Sequence, residues 1–173
     1  WDSARLYDRG KVFTAEQLES MSERFGRYLD VDDDGIPYRT YPGTHPTKGS
    51  FFTRGTSRDE YAAYTEDGSV YARNMDRLLK KWETAKSYVP APEIINAEHG
   101  SNVGVIYFGT TRAAALEAVD LLRADDINVD TLRIKAFPFN RDVEEFIAQH
   151  DTVFMVEQNR DAQLKALLVN EGG

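Results

Sequence analysis

Residues 91–173 alternate short β-branched runs with amphipathic stretches, and this alternation predicts an α/β fold. Strand–helix–strand repetition in turn implies a three-layer, parallel or mostly parallel sheet with flanking helices and right-handed crossovers. A second observation bounds it: VPAPE, around Pro90, breaks the helical pattern before it and reads as a linker. Residues 1–90 carry a different pattern, two helical periodicities separated by a Gly/Pro/aromatic stretch. The sheet at 91–173 is thus expected to be preceded by a helical, loop-rich connecting segment at 1–90.

Taken in order, Thr14 with Gln17 three residues on forms a capping box. Leu18, Met21, Phe25 and Tyr28 then recur at helical spacing, which predicts an amphipathic helix of about three or four turns. A second helix is expected from Val70 to Ser87, with Met75, Leu78, Leu79, Trp82 and Ala85 on one stripe. Beyond the linker, Val103–Phe108 (VGVIYF) reads as a strand covered on both faces. Thr110 or Thr111 is placed to cap a helix carrying Leu116, Val119 and Leu122. Residues 129–137 read as the next strand, and Asn140 is placed to cap a helix with Val143, Phe146 and Ile147. TVFMVEQ is the third strand and Arg160–Val169 the last helix.

The most informative stretch is GIPYRTYPGTHPTKGSFFTRGT, residues 35–56. Its glycines and prolines forbid a helix and set turns. Between them stand Tyr38, Tyr41, Phe51 and Phe52, with Arg39, His45, Lys48 and Arg54. A loop this long in a compact domain is usually functional or a linker. The interleaved rings favour an ordered surface over a free linker.

Composition narrows the function classes. With 41% hydrophobic residues the chain can bury a core. Its net charge of −8, without a long basic run, disfavours nucleic acid. Zero cysteines exclude disulfides, thiolate nucleophiles and cysteine-ligated iron–sulfur clusters within the chain, and fit a reducing cytoplasm. No apolar run approaches the ~20 residues of a membrane helix, and the first residues have no signal-peptide pattern. No G-x-S-x-G, Walker-type loop or G-x-G-x-x-G occurs, so no catalytic residue is assigned to this stretch. Starting without Met and ending at NEGG, the sequence reads as a fragment of a longer polypeptide.

Three sets of residues are candidate sites. Asp30, Asp32, Asp34 and Gly35 open as D-x-D-x-D-G, a pattern by which alternate carboxylates converge on Ca²⁺ or Mg²⁺. Against it stand Pro37 and a Tyr, Tyr41, at position twelve, and a solvated acidic turn is the other reading. In the long loop, Arg39, Thr44, His45, Lys48, Arg54 and Thr56 bring cations and hydroxyls together. Arginine reads carboxylates bidentately, so a dicarboxylate, an acyl carrier or an acidic partner surface suits the set. Individually these groups could equally satisfy loop carbonyls or pair with Asp59, Glu60, Glu66 or Asp67. As a set they are expected at a subunit interface near an active site. The third set, Thr110, Asn140, Glu157, Gln158 and Asn159, lies at the carboxyl ends of the strands, where open parallel sheets hold ligands. Helix capping is the plainer reading for Thr110, Asn140 and Asn159.

Residues 35–67 with NMDRLLKKWETAKSYVP and VEQNRDAQLKALLVNEG resemble the α subunit of the 2-oxoacid:ferredoxin oxidoreductases, and among them the 2-oxoglutarate enzymes. The resemblance covers nearly the whole chain, from a connecting segment into a transketolase-C-like domain, which in that family gains a further strand after the last helix. It implies an enzyme that oxidatively decarboxylates a 2-oxoacid, passes the acyl group to coenzyme A and reduces ferredoxin, using thiamine diphosphate, Mg²⁺ and iron–sulfur clusters. It also implies, as partners, the β subunit, a second copy of the α–β unit, and ferredoxin through the assembly. The diphosphate-binding segment and the pyrimidine-domain glutamate would lie outside this sequence, leaving it a structural and interface role and no cofactor of its own beyond a possible ion at the acidic loop. Arg58 departs from the family, whose members often have His or Asn there. The competing reading is a non-catalytic α/β interaction module with a metal-pinned loop.

Overall fold

The computed structural model describes Ala4 and residues 7–171, and these form two compact units, divided between Thr84 and Ala85. The first unit starts with helix α1, Ala15–Ser20. Thr14 caps it by the reciprocal bonds the sequence predicts: its Oγ1 accepts from Gln17 N–H at 3.2 Å while its own N–H donates to Gln17 Oε1 at 2.8 Å. The helix is far shorter than its apolar spacing suggests, because Met21 turns extended (φ −66°, ψ 125°). Leu18 is buried at the helix itself, but Phe25 leaves the helical path to meet Phe13 and Phe51 at 6.0 and 6.1 Å. Ser22 and Gly26, poor helix formers, stand where the helix would have continued. The 3–4 spacing here served tertiary contacts.

Helix α2, Gly68–Lys86, agrees closely with the expected segment, but its packing does not follow the apolar stripe. Leu79 is 67% exposed and Leu78 43%, while Asn74 is its buried residue. What fastens α2 is a polar seam. Asn74 Nδ2 donates to Arg58 O at 2.7 Å, Arg77 Nη1 to Gly35 O at 3.0 Å, and Thr84 Oγ1 to Asp34 O at 2.6 Å. Gly35 makes the close approach possible: at φ +77°, a Cβ there would lie 2.3 Å from Lys81 N.

The second unit holds a four-stranded sheet in the order β1-β3-β2-β4: β1 Glu93–Ile95, β2 Val103–Phe108, β3 Asp130–Ile134 and β4 Thr152–Val156. β2 pairs parallel with β3 and β4, while β1 is an antiparallel edge strand against β3. The parallel core is the predicted one. The sequence reading placed β1 partly inside the linker, since VPAPE gives no alternation to read. Between the strands lie α3, Arg112–Ala124, preceded by a 3₁₀ turn at Gly109–Thr111, then α4, Arg141–Ala148, while α5, Gln163–Glu171, follows β4. From β2 the chain crosses to β3 on one side and then to β4 on the other. Right-handed crossovers therefore put α3 and α4 on opposite faces.

The α4 face carries the core, where Ile106, Leu132 and Ile134 pack with Phe139, Val143, Phe146 and Leu168. Val153 and Met155 of β4 join from the register partners of Gly104 and Ile106. On the other face Tyr107 and Thr131 are fully buried, but Phe154 is 57% exposed. Among the described residues no helix is long and apolar enough to cross a membrane.

Candidate functional site

The aspartates of the acidic loop are taken up by lysines and backbone amides. Asp30 accepts from Asp34 N–H at 3.0 Å and from Gly35 N–H at 2.9 Å, and Asp34 from Ile36 N–H at 2.9 Å. Lys11 Nζ lies 2.7 Å from Asp32 and 2.6 Å from Asp34, while Lys80 pairs with Asp33 and, at 3.5 Å, Asp30. Burial lowers the Lys11 ammonium, but the hydrogen bonds it donates to Asp32 and Asp34 outweigh this and hold the group above its ordinary range. The same bonds to Lys11 hold both carboxylates below theirs. Among the described residues no three His, Cys, Asp or Glu side chains converge as a metal set. In this geometry two lysines pin the loop that the sequence reading offered to a cation.

The long loop divides into a sewn part and an open part. His45 Nε2 meets Glu19 at 2.7 Å, and its Nδ1 accepts from Lys48 N–H at 2.9 Å and Thr47 N–H at 3.2 Å. Lys48 Nζ donates to Glu19 O at 2.7 Å. The bond from His45 holds the Glu19 carboxyl below its ordinary value. His45 and Lys48 are therefore staples between the loop and α1. Thr44 N–H closes a turn on Tyr41 O, and Arg39 N–H bonds Lys11 O at 2.9 Å while its side chain faces solvent. Arg54 lies over the Tyr64 ring at 5.8 Å, also exposed.

Thr56 belongs to a different feature, a cavity of about 230 Å³ within the first unit. Its walls are Tyr28 and residues 56–58 on one side and Tyr71, Asn74, Met75, Arg77 and Leu78 of α2 on the other. Three guanidiniums, Arg27, Arg58 and Arg77, lie over the Tyr28 ring at 5.3, 5.8 and 5.9 Å, and the last two line the cavity. Arg58 Nη2 donates to Gly55 O at 2.8 Å and its Nη1 reaches Tyr28 Oη at 3.3 Å. Arg77 Nε and Ser57 Oγ are buried without a hydrogen-bond partner. Sequence reasoning noted Arg58 only as a departure and missed Tyr28, Ser57 and Arg77. Tyr28 fits the helical spacing of the first segment and Arg77 stands in a different helix, so no local signal joins them.

At the sheet, the polar tops serve the helices. Glu157 accepts from Leu164 N–H at 3.0 Å and Lys165 N–H at 3.3 Å, and Asn159 Oδ1 from Gln163 N–H at 3.0 Å. Burial raises the Glu157 carboxyl, but these amide bonds and Asn159 hold it below its ordinary value. Both side chains thus satisfy the first turn of α5. Asn140 occupies the N-cap position of α4 without a side-chain cap bond, and its Nδ2 donates instead to Asp142 at 3.1 Å. Thr110 lies in the 3₁₀ turn before α3, and Thr111, the N-cap residue, makes no cap bond either because its backbone is already helical (φ −62°, ψ −17°). Gln158 is exposed.

No protein-family profile matches the chain. It is 29% identical over 164 residues to the α subunit of 2-oxoacid:ferredoxin oxidoreductase 2 from Aeropyrum pernix, a match to 92% of this chain and 24% of that subunit. Its fold matches a solved 2-oxoglutarate:ferredoxin oxidoreductase from Magnetococcus marinus, a structure with 2-oxoglutarate, coenzyme A and succinyl-CoA bound. That match has a TM-score of 0.75 at 21% identity, over 88% of this chain and 26% of the other. The chain spans about a quarter of the length of each. Through almost all of its own length, then, this chain is similar to the α subunit of a 2-oxoacid:ferredoxin oxidoreductase.

Proposed function

We propose that the chain is the C-terminal part of the α subunit of a thiamine-dependent 2-oxoacid:ferredoxin oxidoreductase acting on 2-oxoglutarate. The reaction would convert the 2-oxoacid and coenzyme A to acyl-CoA and CO₂ while reducing ferredoxin. The observation that carries this reading is the sequence match over 92% of the chain. The residues present do not fit the enzyme's iron–sulfur clusters: without cysteine the chain cannot ligate one through thiolates. Those groups belong to other parts of the assembly in this reading, and the chain supplies scaffold and subunit interface.

Exposed apolar side chains support the interface role. Phe52 at the loop and Leu79 on α2 are 78% and 67% exposed, apolar surface that a partner subunit would cover. The β subunit and a second α–β unit are the partners proposed for them, and the cytoplasm their compartment. The deciding experiment co-expresses the full-length subunit with its genomic neighbour and follows viologen reduction. Turnover that requires 2-oxoglutarate, coenzyme A, thiamine diphosphate and both subunits, with pyruvate inactive, is the expected result. A properly assembled, cofactor-loaded complex that reduces nothing would remove the enzyme reading and leave a non-catalytic interaction module.

A further inference from the structure

We propose that the cavity between residues 56–58 and α2 is a binding site for an organic anion: an oxyanion head, carboxylate or phosphate, on an apolar body. Three features of the site define that ligand. Arg58 and Arg77 converge on one ring from two elements, and among the described residues neither pairs with a carboxylate. The nearby Asp30 attracts Arg77 through space but makes no ion pair with it, its oxygens meeting Asp34 N–H, Gly35 N–H and Lys80. Arg77 Nε and Ser57 Oγ are buried donors with nothing to donate to. Buried polar groups are seldom left so, and two of them between guanidiniums that form no ion pair mark where an oxygen anion belongs.

The remaining wall, with Tyr71, Met75 and Leu78, is apolar and suits a hydrocarbon or aromatic body. A volume of about 230 Å³ also exceeds what a bare carboxylate or phosphate would fill. Burial, the largest influence on the Arg77 guanidinium, pushes it down from its ordinary value; attraction by Asp30 opposes this, Arg27 adds repulsion, and the balance stays downward. An anion between Arg58 and Arg77 would add attraction that favours the charged form. The site goes beyond the enzyme reading and does not depend on it, since Arg58 stands where the resembling family often has another residue.

Binding is measured on the intact chain by calorimetry and thermal shift, at constant ionic strength set with chloride. The probes are hexanoate and hexyl phosphate, with acetate and inorganic phosphate as their body-less counterparts. Expected is saturable binding of at least one hexyl anion, about tenfold or more tighter than its counterpart. Whichever hexyl anion binds better identifies the head. Ser57→Ala should leave the unliganded melting temperature unchanged or higher, because its hydroxyl has no partner to lose, yet weaken binding about tenfold. Arg77→Lys should weaken it further, and if that variant does not fold, Ser57→Ala decides. Absence of saturable binding by either hexyl anion overturns the proposal, and so does binding that Ser57→Ala leaves unchanged. No turnover is read, so failure here and failure of the enzyme reading are separate results.

Discussion

Glu93 shows how one side chain ties an edge strand to its sheet. It sits on β1 and takes Arg112 of α3 in a two-pronged contact, Nη2 at 2.7 Å and Nε at 3.2 Å, with Arg133 of β3 at 3.4 Å. The hydrogen bond from Arg112 is the main cause that holds its carboxyl at about 2, against an ordinary value of 4.5. A depressed carboxylate stabilises the fold above its unfolded value and stops doing so as pH falls through its folded one. The Glu93→Gln variant should therefore melt below the parent at pH 7. The gap should narrow between pH 4.5 and about 2, as paired thermal melts across that range would show. At this scale the sequence was least legible. Glu93 stood in a linker, and His45 and Lys48, picked out for ligands, are the loop's own fastenings. Which cation meets which anion depends on positions 26 or 40 residues apart, and no local pattern encodes that.

Helix α2 carries the plainest conflict between periodicity and packing. Its stripe of Met75, Leu78, Leu79 and Trp82 is what an amphipathic helix turns inward, yet the seam that anchors it is made by Asn74, Arg77 and Thr84. The helix itself could be read from sequence because periodicity and the breakers near Pro90 bound it. Its buried side could not, because an apolar stripe identifies the face that wants cover and not the molecule that provides it. If the stripe is a subunit contact, Leu79→Glu should change the free chain's stability by no more than about 0.5 kcal/mol. The same change should reduce co-purification with the partner subunit several-fold, checked by pull-down and size-exclusion chromatography. Undiminished assembly would return the stripe to ordinary surface. The short α1 gives the converse lesson, since Phe25 matched the helical spacing and went to a cluster of rings instead.

For the whole molecule, the alternation of strand and helix was enough for the parallel core, because buried parallel strands read as short apolar runs and their crossovers as amphipathic helices. The edge strand β1 was illegible, since three residues beside two prolines carry no period. The cavity with Arg58 and Arg77 was equally out of reach, being assembled from segments at 28, 56–58 and 71–78. The polar seam also shapes how this chain can vary. Bonds from Arg77 to Gly35 and from Thr84 to Asp34 span 42 and 50 positions, so everything between is a ring closed at its base. Closing a ring costs only about 0.6 kcal/mol more for each doubling of its length. The turn at Gly43 is a natural point of growth, with open space around it and His45 and Gly49 anchored just beyond. Four extra Gly/Ser residues after Gly43 should lower stability by less than about 0.5 kcal/mol in urea unfolding. A ring fastened at its base can thus lengthen at its tip and reach further outward while the helix beneath stays where it is.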